Sequence, residues 1–130
     1  MSADTKSDLR TPRARVEGLG SARAGTMHFL HQRITAVALT FLSIWFVWNA
    51  LRLVGAGLAD VLVFLTAPVN AVLMFLFLGT ALYHMSLGLQ MIIEDYFHQE
   101  GLKMSLLILN RFFTWAVGAA AGFALLKIAV

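Results

Sequence analysis

Three long stretches without a charged side chain constrain this chain more than any other feature of its sequence. They cover residues 34–51, 61–93 and 112–126. A helix that crosses a hydrocarbon core of about 30 Å needs roughly 20 mostly apolar residues. With 59% hydrophobic and 13% charged residues, the chain also has too little polar surface for a water-soluble domain of its size. The sequence therefore predicts an all-α integral membrane protein.

Charges, a proline and a glycine set the limits of three predicted spans. Arg33 and Arg52 bound the first span, and Pro68 suits the first turn of the second, which leaves residues 61–66 at the interface. A short polar turn with Gly101 makes the second and third helices antiparallel neighbours. The predicted spans cover about 34–53, 68–93 and 104–127.

The basic residues predict how the chain is oriented. Residues 1–24 form a polar, Arg-rich arm, and residues 25–130 form the three-span membrane anchor. Only Arg52 and Lys127 map to the side away from the N-terminus, while the N-terminal side holds Lys6, Arg10, Arg13, Arg15, Arg23, Arg33, Lys103 and Arg111. Because cytoplasmic segments carry an excess of Lys and Arg, the N-terminus is predicted to be cytoplasmic. This pattern accounts for the net charge of +3 without nucleic acid, and the lack of cysteine excludes disulfides and thiolate metal sites.

His84 is the ionisable residue predicted to lie deepest in a span. It precedes Asp95 by about three helical turns, roughly 16 Å along the axis, so it lies near mid-bilayer if Asp95 lies at the surface. Such a residue normally faces the protein interior or a cofactor. Its neighbours at helical spacing, Thr80, Ala81 and Gly88, leave room for a planar macrocycle. The roles open to it are an axial haem ligand, a proton relay, or a hydrogen bond to a neighbouring helix.

A haem at His84 requires a second axial ligand. The other histidines, His28, His31 and His98, map near the cytoplasmic boundary, so that ligand comes from a partner chain. Arg33 lies at the same boundary, where it either contacts lipid phosphate or faces a haem propionate or a quinone oxygen. His31 and His98 are interpreted as interfacial and structural.

Three polar residues, Glu94, Asp95 and Tyr96, close the second predicted span. Acids and tyrosines at this position are commonly solvated, and solvation is the simplest interpretation of Glu94. Asp95 projects from a face similar to that of His84. The Tyr96 hydroxyl is suited to donate a hydrogen bond to a quinone carbonyl, with Asp95 orienting that donor or supplying protons.

Three motifs occur along the chain at a distinctive spacing: Gly25-Thr-Met-His28 leading to Gln32-Arg33-Ile-Thr-Ala36, Tyr83-His84-Met-Ser-Leu-Gly88 continuing to Glu94-Asp95-Tyr96, and Glu100-Gly101-Leu-Lys103. Together they resemble the smaller hydrophobic anchor subunit of succinate dehydrogenase (complex II), the cytochrome b small subunit, in its alphaproteobacterial form. The resemblance covers about residues 18–130.

The resemblance implies three transmembrane helices that form half of a heterodimeric helix bundle. It implies that His84 is one axial ligand of haem b iron, with the other supplied by a larger cytochrome b anchor subunit. It assigns Tyr96 and Asp95 to the ubiquinone site, and Arg33 to the haem propionates and the quinone site. His28 is a candidate propionate contact.

The implied process is electron transfer to ubiquinone. A flavoprotein subunit oxidises succinate, an iron–sulfur subunit relays the electrons, and the membrane pair holds the quinone. The chain itself would be a non-catalytic subunit, surrounded by lipid in a bacterial inner (cytoplasmic) membrane in preference to a mitochondrial inner membrane.

Two other functions are weighed against this one. The first is a haem-free anchor of a fumarate reductase-like complex, in which His84 is only structural. The second is a small transporter or proton-conducting subunit, in which His84 is a relay. Transporters usually show internal repeats and broken helices around a midplane site. The sequence contains no such repeat, and one intramembrane ionisable residue makes a poor proton path.

Overall fold

The computed structural model describes Thr11, Arg13 and residues 24–129. These residues are all-α and contain four long or medium helices: α1 (Ala24–Arg52), α2 (Leu58–Thr66), α3 (Pro68–Tyr96) and α4 (Glu100–Ala129). Three of them, α1, α3 and α4, are long and apolar enough to cross a membrane. The predicted all-α membrane fold with three spans is confirmed. Most of the predicted arm, residues 1–24, lies outside the described residues.

Helix α1 begins well before the first predicted span. It starts at Ala24, whereas the charge boundary at Arg33 predicted a start near residue 34. The reason is that charge and hydropathy mark the part of a helix that suits hydrocarbon, not the point where helical hydrogen bonding begins. The polar turns between Ala24 and Arg33 continue the same helix, and they carry His28 and Gln32.

The connection between α1 and α3 contains a further helix where only an interfacial apolar stretch was predicted. Gly55 has a φ of 81°, a left-handed conformation that favours glycine, and it turns the chain after α1. Helix α2 then begins with a capping contact, in which the Gly57 N–H donates to Asp60 Oδ2 at 3.2 Å. Helix α3 starts at Pro68, as predicted, after Ala67 in an extended conformation.

Helix α3 lies between α1 and α4 and packs against both, while α2 packs against α3 and α4. Phe46 and Phe77 stack between α1 and α3, with ring centroids 4.7 Å apart. The Asn70 amide donates to the Phe64 carbonyl oxygen at 3.0 Å and joins α3 to α2. The chain is therefore a thin layer of helices with α3 as its centre.

Large apolar side chains cover the outside of this layer. Phe41, Phe112 and Trp115 are 70–73% exposed within the isolated chain. Among the described apolar residues, only Leu87, Ile93 and Leu125 are buried. This inverted distribution is expected for helices whose surroundings are lipid or another membrane subunit.

Candidate cofactor-binding site

His84 lies on α3 at its contact with α1, and both ring nitrogens have a polar neighbour on α1. The Nδ1 atom is 2.8 Å from the hydroxyl oxygen of Thr35. The Nε2 atom is 3.4 Å from the side-chain nitrogen of Gln32. The imidazole is half-buried. It is therefore held between two helices and does not project towards lipid.

A cavity of about 460 Å³ opens beside His84 between α1 and α3. Its lining contains charged, polar and apolar side chains: Gly25, His28, Phe29, Gln32, Arg33 and Ala36 from α1, and His84, Met91 and Glu94 from α3. It extends from the depth of His84 to the turn of α3 that carries Glu94. The fold thus brings three of the predicted site residues, His84, Arg33 and His28, to one cavity.

Two buried polar atoms of the cavity lining have no hydrogen-bond partner. They are Nε2 of His28 and Oε1 of Gln32. A buried polar atom without a partner costs about 1–3 kcal/mol, so native proteins usually satisfy such atoms with protein, water or a ligand. These atoms mark the cavity as a place suited to a bound group with polar substituents.

Arg33 lies at the polar end of the cavity. Its side chain is exposed, and its guanidinium carbon lies 5.0 Å from the centroid of the Phe29 ring. This cation–π contact holds the side chain along α1, and contacts of this kind are worth about 0.5–1 kcal/mol at exposed sites. The guanidinium remains available to an anionic or carbonyl oxygen.

Asp95 and Tyr96 lie apart from the cavity lining. Both are exposed in the last turn of α3, and Tyr96 is 77% exposed. Glu94, which was interpreted as simply solvated, is the acid of this group that lines the cavity. Its Oε1 accepts a hydrogen bond from the Gln90 amide at 2.8 Å. Of the three polar residues that close α3, Glu94 alone is part of the cavity lining.

Sequence reasoning gave no role to Thr35, Gln32 or Tyr83, and it interpreted His31 as only interfacial and structural. Thr35 and Gln32 contact His84, and the Tyr83 hydroxyl lies 2.8 Å from His31 Nδ1. Part of this arrangement could have been predicted, because helical spacing puts four polar residues on one face of α1: His28, His31, Gln32 and Thr35. The missing information was the register of α1 against α3, which decides which pairs meet.

Comparison with known proteins gives a family for this arrangement. The model of the succinate dehydrogenase/fumarate reductase transmembrane subunit family matches residues 7–118. The chain belongs to this family. The family inferred from the three motifs is therefore confirmed.

The relatives named as succinate dehydrogenase hydrophobic membrane anchor subunits include alphaproteobacterial proteins. The chain is 38% identical over 117 residues to the one from Paracoccus denitrificans, covering 90% of each chain. It is 33% identical over 107 residues to the one from Rickettsia bellii, covering 82% of this chain and 86% of the relative. The protein from Rickettsia conorii is 29% identical over 107 residues, covering 82% of this chain and 85% of the relative. No solved structure gives a significant match.

The residues of this succinate dehydrogenase/fumarate reductase family member fit a haem at the cavity. His84 offers a ring nitrogen at the cavity, and the partnerless Nε2 of His28 is suited to a carboxylate. A Cβ built on Gly88 would lie 3.8 Å from Gln32 Nε2, so Gly88 keeps the space beside the imidazole clear of side chain. The Gln32 amide stands next to His84 Nε2, and a metal bound to that nitrogen requires the amide to turn aside.

Proposed function

We propose that this chain is the membrane anchor subunit of a succinate:quinone oxidoreductase. In that complex it supplies one axial ligand of haem b and part of the ubiquinone site, so that electrons from succinate reach quinone. The observation that carries the proposal is the position of the His84 imidazole, fixed between α1 and α3 at a cavity whose other polar residues include Arg33, His28 and Glu94.

His84 Nε2 is the atom proposed to bind iron. Of the two ring nitrogens, Nδ1 has a short contact to a hydroxyl, and Nε2 has only a long contact to an amide. Haem b, when bound, supplies a one-electron redox centre inside the membrane. This chain offers a single suitable histidine at that depth, so the second axial ligand is proposed to come from the larger cytochrome b anchor subunit.

Arg33 and His28 are proposed to hold the propionate side of the haem. A guanidinium is a fixed positive charge with several donors, and it suits carboxylate oxygens. The partnerless Nε2 of His28 is a second donor to the same kind of group when it carries the proton. Both residues lie in the first turns of α1, towards the end of the cavity that is nearer the aqueous phase.

Ubiquinone is proposed to bind near the last turn of α3, with Tyr96 donating its hydroxyl proton to a quinone carbonyl and Asp95 beside it. Both side chains are exposed in the isolated chain and neither lines the cavity, so partner subunits are proposed to complete this pocket. Reduction of the quinone to quinol takes two electrons and two protons. The electrons come from the iron–sulfur subunit, and Asp95 is placed to pass protons from the aqueous side.

The proposed setting is a bacterial inner membrane with the N-terminus in the cytoplasm. The basic residues before α1 and between α3 and α4 support this orientation, because such residues accumulate on the cytoplasmic side. The cavity then opens on the side where the flavoprotein and iron–sulfur subunits bind. Residues 25–130 form the anchor in this proposal, and residues 1–24 form a cytoplasmic arm.

One observation favours a second candidate, a haem-free anchor of a fumarate reductase-like complex. The Gln32 amide lies 3.4 Å from His84 Nε2, and the two could form a purely structural contact between helices. In that case the imidazole needs no metal. The absorption spectrum of the complex separates the two candidates.

The test of the haem assignment is a spectrum of the purified complex and of its His84→Ala variant. The complex is expected to show the absorption bands of a b-type haem, and the variant is expected to lose most of them. His98→Ala is the matched control, since His98 is exposed and does not line the cavity. If the His84→Ala complex contained as much haem as the unaltered complex, His84 would not be the haem ligand.

The quinone assignment is tested in the same preparation with Tyr96→Phe. Quinone reduction is expected to fall, while succinate oxidation with an artificial acceptor stays intact, because the variant removes only a hydroxyl. Tyr83→Phe is the control, because its hydroxyl contacts His31 on another side of α3. Equal losses in both assays would mean that Tyr96 acts through assembly.

A further inference from the structure

The hydroxyl of Thr35 makes three polar contacts that together define its role. It donates to the backbone oxygen of His31 at 2.8 Å and lies 3.2 Å from the backbone oxygen of Gln32. Its third contact is His84 Nδ1 at 2.8 Å. A hydroxyl has one proton and two lone pairs, so a hydroxyl that donates to its own helix can only accept from a third group.

This arrangement favours one tautomer of His84. When the Thr35 hydroxyl donates to the backbone oxygen of His31, its oxygen is left to accept from Nδ1–H of His84. A neutral imidazole has one N–H, so the lone pair lies on Nε2. The contact at Nε2 agrees, since the Gln32 side-chain nitrogen beside it is a donor.

We infer that Thr35 is a positioning residue for His84: it fixes the ring orientation and the tautomer that presents the Nε2 lone pair to the cavity, and it raises the electron-donating power of that nitrogen. The inference rests on the proposed haem function. Histidines that bind metals commonly donate their other ring N–H to an acceptor, and loss of that acceptor typically costs about 10–100-fold in metal affinity or activity.

The same helix provides a close structural match without the histidine. Thr40 donates to the backbone oxygen of Ala36 at 2.9 Å, which is the same bond that Thr35 makes to His31. Thr40 is exposed, so its hydroxyl serves only its own helix. A Thr-to-Val change at residue 40 therefore removes the intrahelical bond alone, whereas the same change at residue 35 also removes the acceptor for Nδ1–H.

The experiment compares Thr35→Val, Thr35→Ser and Thr40→Val in the complete purified complex. Two readouts are used: the rate of haem transfer to an excess of a soluble haem-binding apoprotein, and the midpoint potential of the haem from a redox titration followed by absorbance. Thr35→Val is expected to lose haem about 10–100-fold faster. Its midpoint potential is expected to rise, because an imidazole without an acceptor at Nδ1 donates less to the ferric iron. Thr35→Ser and Thr40→Val are expected to match the unaltered complex.

Three results would overturn the inference: a Thr35→Val complex with unchanged haem retention and potential, a Thr35→Ser complex as impaired as Thr35→Val, or an equal change in Thr40→Val. The first result would mean that the hydrogen bond to Thr35 does not affect haem binding by His84. The second would assign the effect to packing at residue 35, and the third would assign it to the stability of α1. A different result marks failure of the proposed function, namely an unaltered complex without b-type absorption. The spectrum of the unaltered complex is recorded first, so the two failures are distinguished.

Discussion

The side of α3 that meets α1 and the side that meets α4 make different kinds of contact. Towards α1, the contacts are an imidazole with a hydroxyl and an amide, and a cavity lies beside them. Towards α4, a Cβ built on Gly118 or on Gly122 would already be in van der Waals contact with Leu82 or with Phe75, at 3.6 and 3.5 Å. One side has a cavity lined by charged and polar groups next to His84, and the other brings two helices into close contact at two glycines.

This difference shows how a single helix can serve both chemistry and assembly. In a membrane, helices associate through close packing and hydrogen bonds, because lipid is as apolar as the side chains. The α4 side uses close packing at Gly118 and Gly122 and the buried amide of Asn110. The α1 side leaves Nε2 of His28 and Oε1 of Gln32 without partners beside the cavity, which is unfavourable for packing alone and fits the proposed bound group. Substitutions on the two sides should therefore fail in different assays.

The largest effect is expected at Gly88. A Cβ there would lie 3.8 Å from the Gln32 amide, which is ordinary contact, so Gly88→Ala should retain the cofactor. Gly88→Leu should place a branched side chain beside His84 and abolish most of the b-type absorption. Gly79→Leu is the control on the same helix, because a Cβ there meets nothing within 4 Å. Normal haem content in Gly88→Leu would contradict the cavity as the binding place.

A smaller effect, on stability and not on the spectrum, is expected at Gly118. Gly118→Leu should force α3 and α4 apart at Leu82 and destabilise the folded subunit by about 1–3 kcal/mol, as overpacking typically does. The measurement is thermal or denaturant unfolding of the purified complex in detergent. Ala120→Leu is the matched control on an exposed position of α4. Loss of haem without loss of stability in Gly118→Leu would erase the distinction between the two sides.

The smallest effect is expected at Asn110, the buried amide between α3 and α4. Its Nδ2 donates to the Ser86 backbone oxygen at 2.9 Å, while its Oδ1 is buried without a partner. Hydrogen bonds between membrane helices average about 0.6 kcal/mol. Because Asn110→Leu removes both the bond and the partnerless oxygen, the net change in unfolding free energy should stay within about 1 kcal/mol. A loss of several kcal/mol would give this amide a larger role than helix contact.

Much of the fold was predictable because it follows from local rules. Uncharged length identified three spans, and Pro68 marked the start of α3 because a proline suits a first helical turn. Helix α2 was not predicted, although Gly57 and Asp60 have the spacing of the cap that begins it. The charge boundary at Arg33 predicted where the apolar span begins, and it gave no sign that the helix itself begins earlier, at Ala24.

The sequence singled out His84, which the structure places at the cavity, but it did not predict the residues around it. A histidine deep in an apolar segment is costly enough to draw attention by itself. The partners of that histidine depend on how α1 is rotated and shifted against α3, and one sequence carries no measure of either. For the same reason the sequence gave a role to Asp95 and Tyr96 and interpreted Glu94 as solvated, whereas Glu94 is the residue of the three that lines the cavity.

The central position of α3 has a practical consequence for experiments. Since α1 and α4 each pack on α3, a spectroscopic label at the exposed Ala120 of α4 would report on insertion and folding without touching the cavity beside His84. Optical absorption and the signal of the label would then be two independent measurements on one 130-residue polypeptide. When both signals are followed during assembly, their time courses would show whether the helices insert before the proposed cofactor binds.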